Sequence, residues 1–304
     1  MKLHAFIEQA NFNSNKTVAV AVAESSEVMD AVAEAIKLKL ANFILFGNKQ
    51  DIFRIINKQF PWLMNHENIK IIHANSHSVA ADYAVKAVKL NEADVLMKGN
   101  LSTAILLKSV LNKENGLRTG SILSHVSVFE VQGFEKLIIV TDSAMNIAPD
   151  LETKIQIINN AVKVANWIGI DYPKVAVLAA VEIVNLTMQA TVDAAILTQM
   201  NRRGQIDGCL VDGPLALDNA ISINSAQQKG ITSEVAGQAD ILVVPTVETG
   251  NALYKSLIYF ARAKVGAVVI GAKAPIVLTS RADSAESKVY SLVLALCSGS
   301  TRHF

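Results

Sequence analysis

The chain has 304 residues, with 28 Lys and Arg against 27 Asp and Glu, so its net charge is +1, and only 18% of its residues are charged, below the roughly 25% of typical soluble proteins. A nucleic-acid binder concentrates cations to neutralise phosphates, whereas here they are scattered, Arg202 and Arg203 being the one adjacent arginine pair. Hydrophobic residues reach 51%, yet no apolar run approaches the roughly 18 to 20 residues of a membrane span, so the surplus is read as strands buried on both faces.

Met1 to Asn15 carries His4, Glu8 and several Asn where a signal peptide has a basic and then an apolar segment. The two cysteines, Cys209 and Cys297, form no paired framework and no metal-ligand spacing, which suits a reducing cytoplasm. The expectation is a cytoplasmic protein with neither nucleic acid nor membrane as partner.

In chain order, short apolar runs alternate with longer segments of helical period. Thr17 to Ala23 reads as a strand and Ser26 to Leu40 as a helix; Phe43 to Phe46 and Asp51 to Gln59 repeat the unit, then Ile69 to His73 and Ser78 to Lys89. It continues with Val95 to Met97 and Thr103 to Leu111, Leu137 to Val140 and Leu151 to Trp167, Val175 to Ala179 and Asn185 to Met200, Ile241 to Val244 and Asn251 to Lys264, and closes with Pro275 to Thr279 and Ser284 to Cys297. Such alternation predicts βαβ crossovers and parallel sheets. The rhythm falters at Asn112 to Ser127 and at Gly266 to Pro275, either of which is a candidate hinge.

Ligands of open α/β sheets bind beyond the carboxyl ends of strands, so the polar residues there are the candidates. Lys98-Gly99-Asn100-Leu101-Ser102-Thr103 with Lys108 offers positive charge, two hydroxyls and a helix start. It reads as an anion cradle or as a turn capped by Ser102 or Thr103. Thr141-Asp142 through Asn146 to Asp150 suits a ligand loop, with Asp150 equally an N-cap. Asp212-Gly213-Pro214 reads as a turn, and neither Asp212 nor Asp218 belongs to a metal-binding carboxylate cluster. Thr279-Ser280-Arg281 ends an apolar strand, and Asp283 with Glu286 three residues later has the spacing of a capping box. His73 and His125 are candidate acid/base groups, but no spacing pairs either with a nucleophile, and both are read as structural histidines.

Met97-Lys98-Gly99-Asn100, Ser124-His125-Val126, Thr141-Asp142 with Asn146 and Pro149-Asp150, Asp212-Gly213-Pro214-Leu215 with Asp218, Gly250-Asn251 with Tyr254-Lys255, and Thr279-Ser280-Arg281 together resemble the phosphate acetyl/butyryltransferase family. Within it the chain looks most like the butyryltransferase branch, on Lys98-Gly99, on Asp212 through Ala220 and on Thr279 through Ser284. The resemblance implies reversible transfer of a short acyl group, butyryl first, between coenzyme A and inorganic phosphate, with no tightly bound cofactor. It implies two α/β/α three-layer domains with mostly parallel sheets, the architecture also of isocitrate and isopropylmalate dehydrogenases, an active site in the cleft between them, and a homodimer or a multiple of dimers. On this reading residues 1–126 plus 267–304 form the first domain and 127–266 the second.

Carried onto these positions, Arg281 clamps phosphate with Lys98, Ser102, Thr103 and Lys108, and Ser280 hydrogen-bonds the sulfur or oxyanion. Thr141, Asp142, Asn146, Asn251 and Lys255 bind coenzyme A or line the cleft. Two positions depart from the acetyltransferase branch: Lys108 and Ile258 stand where that branch has arginines. A third departure concerns the thiol base, because a carboxylate seven residues after the serine is here Ser287. Asp283, Glu286 or the phosphate itself then takes the proton, with Asp283 the candidate. The competing functions are acetyl transfer, a non-catalytic acyl-CoA sensor, and a metal-dependent dehydrogenase of the shared architecture, against which stands the absence of a glycine fingerprint after the first strand.

Overall fold

A computed structural model describes residues 2–11, 15–278 and 283–298. The chain opens with α1 (Ala5–Asn11), β1 (Thr17–Ala21), α2 (Ser26–Lys37), β2 (Asn42–Gly47), α3 (Lys49–Gln59), β3 (Ile69–His73), α4 (His77–Lys89), β4 (Val95–Lys98) and α5 (Thr103–Val110). It continues with β5 (Ser124–Glu130), β6 (Ile138–Thr141), α6 (Leu151–Trp167), β7 (Lys174–Leu178), α7 (Gln189–Arg202), β8 (Leu210–Leu215), α8 (Leu217–Ile221), α9 (Ile223–Gln228), β9 (Ile241–Val243) and α10 (Val247–Tyr259). Then come β10 (Lys264–Ile270), β11 (Ile276–Val277) and α11 (Ala285–Leu296).

The chain divides into two compact units. One comprises Leu3–Ser121 and Gly266–Ser298, the other chiefly Ile122–Val265. In the first, the strand order is β3-β2-β1-β4-β11-β10, with every pairing parallel except that of β10 with β11. Val18 to Ala23, Phe43, Leu45, Leu96 and Met97 are all buried, the pattern of strands covered on both faces. From β1 the chain runs outward through α2 and α3 to β2 and β3, and after α4 it returns to β4 on the other side of β1. The order therefore reverses between β1 and β4, a topological switch point.

In the second unit the order is β5-β6-β9-β7-β8. The pairings of β6 with β9, β9 with β7 and β7 with β8 are parallel, and that of β5 with β6 is antiparallel. A core of Phe129, Ile138, Val140, Ala176, Leu242 and Val265 fills one face. Ile258 packs against this core, together with Tyr254 and Leu257.

Three local expectations are corrected. Ser124 to Ser127 and Gly266 to Ile270, read as parts of candidate hinges, lie in β5 and β10. Ser124, His125 and Ser127 are polar yet buried, because the sheet and side-chain partners satisfy them, and that polarity hid the strand. Asp212-Gly213-Pro214, read as a turn, lies within β8, where Pro214 is tolerated because β8 is at the sheet edge and its missing N–H breaks no inner ladder.

Candidate active site

In the first unit the switch point brings together the ends of β1 and β4. Gly99 N–H donates to Ala21 O at 2.8 Å and Asn100 N–H to Val22 O at 2.7 Å. Val22 holds φ at 62°, a left-handed backbone rarely adopted by a β-branched residue and a cost that functional loops carry. Gly99 is required here, since a Cβ would run into the Val22 and Ala21 carbonyls. Lys98 is 9% exposed. Its Nζ donates to Gly99 O and Leu101 O, each at 3.2 Å, which folds the loop around its charge. Ser102 is the N-cap of α5, accepting from Ile105 N–H at 3.3 Å; Thr103 starts the helix, and both are exposed, as is Lys108 in its last turn. Lysine, hydroxyls and helix N-terminus thus lie on one segment, favourable to an anion.

β11 pairs parallel with β4, Val277 opposite Met97, so the carboxyl end of β11 lies beside Lys98. Ser280 and Arg281 follow that end in sequence but fall outside the described residues. Beyond them the capping expectation shifts by one residue. Ser284, not Asp283, is the N-cap of α11, accepting from Ser287 N–H at 3.1 Å and donating its hydroxyl to Ser287 Oγ at 3.0 Å. Ser284 has the extended backbone of a cap, which leaves Asp283 outside the helix and Ser287 held by the cap. Glu286 accepts from the Tyr290 hydroxyl at 3.0 Å.

In the second unit the turn after β6 is built from within. Thr141, 0% exposed, donates its hydroxyl to His125 O at 3.0 Å, and the 2% exposed Asp142 accepts from Ala144 N–H and Met145 N–H, both at 2.9 Å, and from Asn146 Nδ2 at 2.6 Å. Asn146 also donates to Leu123 O at 2.9 Å. These three candidates shape the turn. Asp150 is the N-cap of α6, accepting from Thr153 N–H at 2.8 Å. Helix α10 approaches the turn at Gly250, where a Cβ would lie 2.5 Å from Asp142 O and 2.8 Å from Ser143 Cα. The next residue is the exposed Asn251, and one turn on stands the exposed Lys255, its Nζ 5.5 Å from the Tyr254 ring centroid. The sequence offers no signal for Ser143 as a separate candidate, and it leaves His125 a structural histidine whose ring partner is unassigned; the structure supplies that partner in the Ser143 hydroxyl, 2.9 Å from Nδ1.

Parallel sheets whose carboxyl ends carry a folded lysine loop, capping hydroxyls and a wedged polar turn are the build of an α/β enzyme for small anionic substrates. Residues 56–296 match the model of the phosphate acetyl/butaryl transferase family. A probable phosphate butyryltransferase of Bacillus subtilis is 56% identical over 98% of each chain. A phosphate acetyltransferase of Thermotoga maritima is 45% identical over 97% of this chain and 99% of its own. The crystal structure of a branched-chain phosphotransacylase from Enterococcus faecalis superposes with a TM-score of 0.82 at 38% identity, covering 94% of this chain and 100% of that one. The chain belongs to the phosphate acetyl/butaryl transferase family and is an enzyme, a phosphate acyltransferase.

Proposed function

We propose that the enzyme transfers a butyryl-sized acyl group reversibly between coenzyme A and inorganic phosphate, using acyl-CoA and phosphate as its substrates and holding no cofactor tightly. The observation that carries this is the parallel seating of β11 on β4, because it sets the strand end that precedes Ser280 and Arg281 beside Lys98. Butyryl is favoured over acetyl because identity to the butyryltransferase exceeds that to the acetyltransferase.

In the direction that makes acyl phosphate, a phosphate oxygen attacks the thioester carbonyl, the carbon–sulfur bond breaks, and the departing sulfur takes the proton that phosphate gives up. Arg281 pairs with phosphate oxygens through its planar fork. Lys98 and Lys108 add charge, and Ser102 and Thr103 offer hydroxyls and the first N–H groups of α5. Ser280 donates to the sulfur or to the carbonyl oxygen as charge develops there. In the reverse direction a thiol of pKa about 8.5 must lose its proton, and Asp283, set outside the α11 cap, takes it. Asn251 and Lys255 reach coenzyme A, with Thr141, Asp142 and Asn146 holding the turn behind them.

Residues 1–126 plus 267–304 and 127–266 are the working domains of this reading. Two buried free cysteines and the lack, among the described residues, of any helix long and apolar enough to cross a membrane support a cytoplasmic setting. The reading includes a homodimer, to whose contact the exposed apolar Ile183, Leu186, Tyr259 and Phe260 are available.

The test is release of free thiol from butyryl-CoA, followed with a thiol reagent. Release that depends on phosphate is expected; its absence with every acyl-CoA from two to six carbons overturns the reading. Arg281→Ala should lower turnover by about 100- to 1,000-fold, the usual loss of one transition-state donor, and unchanged turnover removes Arg281 from the site.

A further inference from the structure

His125 sits on β5, 8% exposed, inside a strand otherwise suited to aliphatic residues. Burying an imidazole is unfavourable unless its nitrogens are satisfied. Its Nδ1 meets two hydroxyls, Ser143 Oγ at 2.9 Å and Ser127 Oγ at 3.1 Å. Ser127 lies on the same strand, but Ser143 is the first residue of the turn after Asp142. The His125 carbonyl accepts from Thr141, so one residue holds the turn from both its main chain and its ring. Across the turn stands α10: the His125 ring meets Tyr254 edge-on, 6.0 Å between centroids, and Gly250 packs on Ser143 Cα. Ser143 is thereby wedged, its hydroxyl fixed by His125 and its main chain against the residue before Asn251.

We infer that His125 is a positioning residue for coenzyme A binding: its Nδ1 anchors the Ser143 hydroxyl, which sets the turn against which α10 presents Asn251 and Lys255. The inference rests on the proposal that this turn and α10 form the coenzyme A side of the site. Release of the Ser143 hydroxyl would let the turn relax against Gly250 and move Asn251 and Lys255 relative to their ligand. The phosphate-binding segment at Lys98 belongs to the other unit, so the effect should fall on one substrate alone.

Isosteric variants test this directly, because Asn places an amide near the Nδ1 position while Gln places it near Nε2. In steady-state kinetics with butyryl-CoA and phosphate varied independently, Ser143→Ala and His125→Gln should each raise KM for butyryl-CoA about tenfold, the effect of one hydrogen bond. KM for phosphate should stay within about twofold. His125→Asn should restore most of the affinity, and the Gln/Ala double variant should be no worse than either single one, as expected of two residues acting through one bond. If Ser143→Ala does not accumulate folded, Ser143→Cys, with a weaker donor, should give an intermediate KM. Equal loss in His125→Asn and His125→Gln, additive losses, or a matching rise in KM for phosphate overturns the inference. Lys255→Ala separates the two levels. Should it raise KM for butyryl-CoA while Ser143→Ala does not, the coenzyme A placement stands and the anchor falls. Should neither change it, the placement falls and the anchor with it.

Discussion

Lys154 on α6 and Asp193 on α7 form an ion pair at 2.5 Å, with side chains only 5% and 9% exposed. Asp193 also accepts from Gln189 Nε2 at 2.8 Å. Lys154→Met keeps the length of the side chain and removes its charge, stranding a carboxylate with one neutral donor. Breaking a buried pair from one side costs about 3 to 5 kcal/mol, and the surviving Gln189 contact places this case at about 3 kcal/mol. For a unit of this size about 2 to 4 °C is lost per kcal/mol, so melting should fall by about 6 to 12 °C. Lys154→Met with Asp193→Leu leaves no charge behind and should recover most of the loss. The two tryptophans allow the units to be watched apart: Trp62 lies in the first, and Trp167, at the end of α6, in the second. With Trp62→Phe in the background, fluorescence on heating follows the unit that holds the pair. A shift under about 2 °C for Lys154→Met, or a double variant as unstable as the single one, would refute the reasoning.

Gly99→Ala should raise KM for phosphate at least about tenfold and cost about 1 to 3 kcal/mol in a melting experiment, since the new methyl group meets carbonyls rather than a side chain that can move; normal phosphate saturation would contradict the loop's role. Asp150 is held below its ordinary pKa of 3.8 chiefly by hydrogen bonding from Thr153. A depressed carboxylate stabilises the fold above its unfolded pKa and loses that contribution as pH falls through its folded one. Asp150→Asn should therefore flatten the decline of melting temperature below about pH 4 while keeping the cap. Cys209 is buried, its thiol pushed up to about 11 by desolvation, and Cys297 is buried too. Native protein should show no fast-reacting thiol at pH 8, and denatured protein two, so the thiol assay has no background from the enzyme itself.

The alternation of strand and helix was legible because both periods are strong in places. Ile69–His73 and Leu151–Trp167 have the bounds that the pattern predicts. It failed where polarity and burial part company. Ser124, His125 and Ser127 are polar residues inside a sheet, and no local pattern distinguishes them from a loop until Asn160, Thr141 and Ser143 supply their partners. Asp212-Gly213-Pro214 has the composition of a turn, and only the place of β8 at the sheet edge lets it extend. For the candidate site, the strand-end rule singled out Lys98, Ser102 and the Thr141 turn as candidates, yet it could not show that Asp142 points inward to its own loop. Such inward use depends on a three-residue geometry that spacing does not encode. Asp283 and Glu286 have the capping-box spacing, but Ser284 takes the cap because an extended backbone one residue later starts the helix there.

In the strand order of the first unit, β11 stands between β4 and β10, an interior place filled by residues made after the whole of the second unit. A ribosome that has released Leu3–Ser121 has supplied β1 to β4 without the neighbour that covers β4. The second unit, continuous from Ile122 to Val265, has every strand of its own as soon as that stretch emerges. The later-made unit can thus be complete first, while the earlier one waits with an open sheet edge beside Lys98, the kind of edge that invites pairing with another chain. Chains stalled before residue 276 should be the aggregation-prone species, and the segment that carries Ser280 and Arg281 arrives with the same strand that closes that edge.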